Sequence, residues 1–321
     1  MSRILFASCV AALLYSTKIQ AQRIPAGALP MNYNGGFAGE AGAPRVAAFS
    51  LFDYGPFPYY GSDPYVLNRG SFISVDNFVK KIRSGVGLTA GHQTNDHSYR
   101  STSMSLAISP KFSHLGKYTF APFADFSFGR THYLMDPLYN PVHFVSDNFS
   151  FKSGFLLNSD KAYIGVSAEI LRDGSRYAAR FLENVEYYLQ AGYTFQRTPG
   201  SDFSFTPQLV LSYQRIDYER IWTYEPITVN WLRLVDLSLG FRHKKFIWGI
   251  NNTGLMAGYQ SDRFKLQVTN FYTDRHRAGE FANLSNSEHF YLGAWPFPDS
   301  PKKYFGCISL RYLFKENSFP K

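Results

Sequence analysis

Apolar and polar or small residues alternate with a period of two along most of this chain. Met104, Leu106 and Ile108 alternate with Ser103, Ser105, Ala107 and Ser109. Tyr187, Leu189, Ala191, Tyr193 and Phe195 alternate with Tyr188, Gln190, Gly192, Thr194 and Gln196. A strand points successive side chains to opposite faces, so this period gives one apolar and one wet face. The pattern predicts strands over 45–54, 72–79, 83–93, 99–111, 118–133, 148–157, 162–171, 185–197 and 203–215. It predicts more over 229–242, 246–251, 255–260, 264–271, 289–295 and 304–314. Single-chain bacterial barrels have even strand numbers, so an all-β, transmembrane, antiparallel up-and-down barrel of about 14 strands is expected. Its apolar face meets lipid and its polar face the interior.

The chain starts differently. Met1-Ser2-Arg3 precedes an apolar stretch from Ile4 to Tyr15, and Ile19-Gln20-Ala21 suits cleavage before Gln22. The stretch is too short to span a bilayer, so residues 1–21 read as a signal peptide. Cys9 lies inside the apolar run, which argues against lipidation there. Removal of the leader leaves Cys307 as the sole cysteine, so no internal disulfide is available. Residues 22–44 are rich in Gly, Ala and Pro, and Pro25, Pro30 and Pro44 interrupt regular hydrogen bonding. They are expected in the periplasm or folded back into the lumen. The barrel then runs over 45–314, with a short tail at 315–321.

Composition fits this class. Aromatic residues make up 18% of the chain, with 23 Tyr and 30 Phe. A lipid-facing wall and its two interfaces use such residues heavily. The net charge is +9, and loss of Arg3 and Lys18 with the leader leaves +7. Export argues against nucleic acid as the basic chain's partner. Outer-leaflet anionic lipid, acidic loops of a partner or an acidic substrate fit better. The longer connections, 55–70, 135–145, 173–183, 217–226 and 273–287, belong on the cell exterior, because such barrels have short periplasmic turns.

Catalytic signatures are missing: there is no G-x-S-x-G, H-E-x-x-H or P-loop. His92 and His97 at a hairpin tip could be imagined as a metal pair. His132, Asp136 and Ser146 could be imagined as hydrolase parts. Neither set has a local signature, so no catalytic, cofactor or metal site is expected and the chain reads as a non-enzyme. Arg100, Lys152, Glu169, Asp236 and Arg242 are expected to face the interior, lining water or pairing across a packed lumen. In the last strand Gly306, Ile308, Leu310, Tyr312 and Phe314 share one face, and Cys307, Ser309 and Arg311 the other. Ile308, Leu310, Tyr312 and Phe314 suit a barrel-assembly end.

Several short motifs, in order, resemble the PorP/SprF family of outer-membrane proteins from the type IX secretion system of Bacteroidetes. Asn34-Gly35-Gly36-Phe37-Ala38-Gly39 is similar to that family's Asn-Pro-Ala-Tyr-Ala-Gly-like motif and is followed by Arg45. Ser74-Val75-Asp76-Asn77 and Gly85-Val86-Gly87-Leu88 are similar to its Ser-x-Asp and Gly-Gly-x-Gly strand pair. Residues 244–250 and 257–260 resemble its late hairpins, and 308–314 its Ile-Ser-Leu-x-Tyr-x-Phe close. Gly35 stands where the family has Pro, and the aromatic-Gln stretch usual before the motif is missing.

The resemblance implies a multi-pass protein of the Gram-negative outer membrane, non-enzymatic, that helps secrete or display large cargo, in some members gliding adhesins. The implied partners are outer-membrane lipid, the secreted cargo protein, and periplasmic ring and peptidoglycan-binding components. Residues 34–39 are then either a partner-docking motif or a glycine-permitted turn into the first strand. Gly85 and Gly87 are expected to mark close packing of a strand or plug on the inner face. A porin or hydrophobic-solute transporter stays open as the alternative.

Overall fold

Strands dominate because the alternation pairs with itself across neighbours. The computed structural model describes residues 31, 33–54, 68–95, 99–115, 117–134, 143–173, 179–196, 198, 201–220, 226–251, 254–273 and 303–314. In chain order the strands are β1 (Arg45–Tyr54), β2 (Asn68–Val79), β3 (Ser84–Asn95), β4 (Tyr99–Pro110) and β5 (Phe112–Leu115). There follow β6 (Tyr118–Leu134), β7 (His143–Asn158), β8 (Ala162–Asp173), β9 (Ala179–Tyr193), β10 (Phe195–Gln196) and β11 (Phe203–Arg220). Then come β12 (Pro226–His243), β13 (Phe246–Asn251), β14 (Gly254–Gln260), β15 (Phe264–Thr273) and β16 (Lys303–Leu313).

All pairings are antiparallel, and β1 closes on β16 from Arg45↔Leu313 to Tyr54↔Tyr304. β5 prolongs β4 along β6, and β10 prolongs β9 along β11. The result is a closed barrel of 14 strands. Closure leaves no open sheet edge around the ring, the condition for a sheet in lipid.

The two faces separate as the alternation requires. Leu88, Met104, Leu106, Ile108, Phe126, Phe128, Phe149, Phe151, Val166 and Val268 are exposed on the outside. Ser74, Ser109, Asp125, Lys152, Ser167, Glu186, Gln190 and Thr269 are buried on the inside. The terminal strand follows suit: Ile308, Leu310 and Tyr312 are exposed while Cys307 and Ser309 are buried. On β6 the outward apolar positions run from Tyr118 to Phe128, about the 9–11 residues a strand needs to cross a bilayer.

An even number of strands brings both ends of the barrel wall, Arg45 and Leu313, to one mouth. The short turns at 80–83, 159–161, 244–245 and 261–263 lie at that same mouth. The strand ends that border 55–67, 96–98, 135–142, 174–178, 221–225, 252–253 and 274–302 lie at the other. Short turns mark the periplasmic end.

Several strands run further outward than their apolar pattern predicts. β9 begins at Ala179 rather than Val185, and β11 continues through Asp217, Tyr218, Glu219 to Arg220. Beyond the lipid a hairpin needs only its ladder of hydrogen bonds, so it continues without apolar outward residues. The run expected over 289–295 lies outside the described residues.

Candidate functional site in the lumen

Among the described residues of the segment ahead of β1, 31 and 33–39 are buried against the barrel wall at the periplasmic mouth. A single 3-10 turn, Gly35–Phe37, is capped by Asn34, whose Oδ1 accepts from Gly36 N at 2.8 Å. Asn34 Nδ2 donates to the Phe155 carbonyl on β7 at 3.1 Å. The Tyr33 carbonyl accepts from Ser167 Oγ on β8 at 2.9 Å, and the Gly36 carbonyl from Lys111 Nζ. Glu40 Oε1 accepts from Asn158 Nδ2 at 2.9 Å. A buried polar group left without such a partner costs about 1–3 kcal/mol, so these bonds decide where the segment rests.

One carboxylate organises the exit of the segment into β1. Asp76 on β2 accepts from Gly39 N at 2.9 Å through Oδ1 and from Arg45 Nε at 2.7 Å through Oδ2. Arg45 Nη2 also donates to the Phe37 carbonyl at 3.0 Å. Gly39 has φ +67°, a left-handed conformation that favours glycine, and this reverses the chain toward Arg45. Asp76 is 2% and Arg45 7% exposed, so this is a buried ion pair with its remaining valences used inside the turn.

Side-chain packing completes the seat. Phe37 meets Tyr163 edge-on at 5.4 Å, and Tyr33 meets Tyr188 at 6.0 Å. Met31, Phe37, Ala38, Ala107, Ala121 and Leu156 form one apolar cluster. The wall makes room by lacking side chains: a Cβ on Gly85 would overlap the Ala38 carbonyl, and one on Gly87 would reach Met31. The described contacts of the segment fall on β2, β3, β4, β6, β7, β8, β9 and β11. It therefore reaches from one side of the mouth to the other.

Above the seat runs a row of charges in register across four strands: Asp125, Lys152, Glu169 and Glu186. Lys152 Nζ stands 3.0 Å from Glu169 Oε2 and 5.3 Å from the Tyr188 ring. Ser150 donates to Glu169 and Ser212 to Glu186, each at 2.7 Å. Lys152 and Glu169 thus pair between neighbouring strands on the inner face.

Asn34, Gly35, Gly36, Phe37, Ala38 and Gly39 are all buried in the seat. Three stretches distant in sequence, around Asn34–Gly39 with Arg45, Asp76 and Gly85, meet there. Lys152, Glu169, Asp236 and Arg242 face inward as expected. Arg100 does not: it shares the outward face of β4 with Met104 and Leu106 and is exposed. Counting by twos from Met104 would have shown this.

His132 faces outward on β6, while Ser146 is buried on the inner face with its Oγ donating to Asn148. The two lie on opposite sides of the wall, and Asp136 is outside the described residues. His92 Nδ1 lies 3.0 Å from Thr102 Oγ1, and His97 is also outside them. Among the described residues no group of three or more His, Cys, Asp or Glu is placed to hold a metal. Sequence reasoning missed Lys111, Asn158, Ser167 and the tyrosines 33, 163 and 188. No local motif marks them, since each acts across the lumen.

Comparison with known proteins names a family. The family model described as type IX secretion system membrane protein PorP/SprF matches residues 67–277. Among curated proteins nothing matches. Among solved structures, the translocator domain of autotransporter NalP from Neisseria meningitidis aligns at 12% identity and TM-score 0.42. That alignment covers 85% of this chain and 88% of the other. The toluene transporter TodX from Pseudomonas putida aligns at 8% and 0.43, covering 92% and 95%. The KdgM porin in complex with oligogalacturonate aligns at 8% and 0.40, covering 84% and 99%.

Proposed function

We propose a role for this chain from the premise that it belongs to the PorP/SprF family of type IX secretion system membrane proteins: it is a closed anchor that supports export or surface display of large cargo. As a member of that family it is a multi-pass component of the outer membrane. In this reading the barrel is a fixed, non-enzymatic point in the membrane rather than a conduit. Its outer connections or outer mouth engage the exported protein, with gliding adhesins among the cargo. Its periplasmic end engages the ring and peptidoglycan-binding components.

One observation carries the reading. The periplasmic mouth holds the chain's own segment, buried at Asn34 (1% exposed) and Ala38 (0%) and tied by the Arg45–Asp76 pair. An interior so occupied suits an anchor better than a porin. Residues 34–39 act here as the latch of that segment. A clean deletion strain tests the role: loss of secretion or display of a dependent cargo is expected, with recovery on complementation. Normal cargo export without the protein would refute it. Co-purification from membranes should recover periplasmic ring proteins.

A further inference from the structure

The outer surface of β3, β4, β6 and β7 changes character abruptly with height, and the change is in register. The row Leu106, Phe126, Phe151 is wholly apolar, as is the next row outward, Met104, Phe128, Phe149. The row after that is Thr102, Arg130, Asp147, with His92 opposite Thr102. Arg100 and His132 pair in the row above. Arg100, Arg130, His132 and His92 are all exposed. An Arg facing lipid costs about 2–4 kcal/mol at the bilayer midplane and roughly 0–1 near the interface. These rows therefore stand at the outer headgroup level.

Directly beneath them the wall is indented. Leu88, Met104, Leu106, Phe126, Phe128 and Phe149 help line a hollow of about 720 Å³. That is within the roughly 300–1,000 Å³ range of small-molecule sites. Phe128–Phe149 and Phe126–Phe151 ring pairs, at 5.1 and 5.0 Å, keep its floor stiff. Above it, Arg130 is held by Asp147 through two hydrogen bonds of 2.7 and 3.0 Å. A guanidinium has five N–H donors, so Arg130 keeps donors for an anion while its position is fixed. Arg100 is the second cation. Asp147 is the single acid among the described residues of these outward rows, which leaves them net positive.

We propose that this face is a binding site for a phosphorylated glycolipid of the outer leaflet. Its phosphate lies between Arg100 and Arg130, and its acyl chains fill the hollow beneath. The lipid would hold the β3–β7 wall at one height in the membrane. A cationic rim alone would take any anion and an apolar hollow any lipid. Their stacking in adjacent rows selects a molecule with both parts.

The test uses full-length protein, delipidated in detergent, and native mass spectrometry with phosphorylated lipid A or its dephosphorylated form. Occupancy should favour the phosphorylated lipid by about tenfold, the effect of one charge-assisted contact of about 1.4 kcal/mol. The preference should vanish in the R100Q/R130Q variant and persist in K244Q/K245Q, which loses equal charge at a periplasmic turn. Excess inorganic phosphate should not displace the lipid. Equal occupancy by both lipids, an undiminished preference in R100Q/R130Q, or equal loss in K244Q/K245Q would overturn the site. Displacement by inorganic phosphate would also do so, by reducing it to a simple anion site. None of these results bears on cargo export, so the site and the anchor role can fail separately.

Discussion

From Gly85 to Gly91 on β3 and from Ser109 back to Ser101 on β4 the inner faces carry small residues, yet their two halves do different things. At the periplasmic half, Gly85, Gly87, Ala107 and Ser109 are buried, three of them against the returning segment, while Ser109 donates to the Pro122 carbonyl. At the outer half, Gly91 lies under the Phe72 ring of neighbouring β2, while Ser103 is exposed to the lumen and Ser101 Oγ meets Thr131 of the next strand at 3.1 Å. The same residue class on the same face is a seat below and a wetted wall above. What separates Gly85 and Ala107 from Ser101 and Ser103 is whether another piece of chain comes close enough to need the missing side chains.

Substitutions can break that contrast, and the largest effect is expected at Gly85. In G85V the side chain collides with the Ala38 carbonyl, a backbone atom that cannot rotate away. The segment should leave its seat while the barrel persists. Hydrogen exchange at Ala38 and Gly39 should then reach the rate of an open chain, with strand amides still protected. Protection unchanged in G85V would mean that the segment is not seated there.

Next is D76A. Removing one partner of a buried, hydrogen-bonded ion pair costs about 3–5 kcal/mol. Arg45 and the Gly39 amide would both be stranded, so proteolysis of the segment should accelerate well before the barrel unfolds. N34A is milder: it removes two hydrogen bonds and leaves buried groups at about 1–3 kcal/mol each, with partial rearrangement offsetting some of it. The smallest effect belongs to the outer half. S103L should change segment protection and barrel melting by no more than about 0.5 kcal/mol, as for an exposed position with no partner to lose. A large loss of segment protection in S103L would erase the contrast between the halves.

The wall was largely legible from its period. β1 over Arg45–Tyr54 and β13 over Phe246–Asn251 match the alternation residue for residue. The misses have physical causes. Asp217 to Arg220 look like a solvated loop because their side chains are polar, but the β11–β12 ladder continues beyond the lipid and needs no apolar face there. Arg100 looks like a lumen residue because charge on a barrel strand is usually inside; its parity places it outside, at headgroup height where the cost is small.

The seat was legible only in part. Gly85 and Gly87 signal a close approach, as a glycine pair in a strand does. The signal does not say what approaches. Residues 22–44 have no period, so their place depends on contacts such as Arg45–Asp76 and Asn34–Phe155, the latter across 121 residues of chain. Such pairings join residues far apart in sequence and leave no local pattern.

The anchor reading stands or falls on whether the barrel conducts. Purified full-length protein in a planar bilayer should show no steady open-channel current, and G85V, with its segment released, should show one. Steady currents through the unaltered protein would contradict the account.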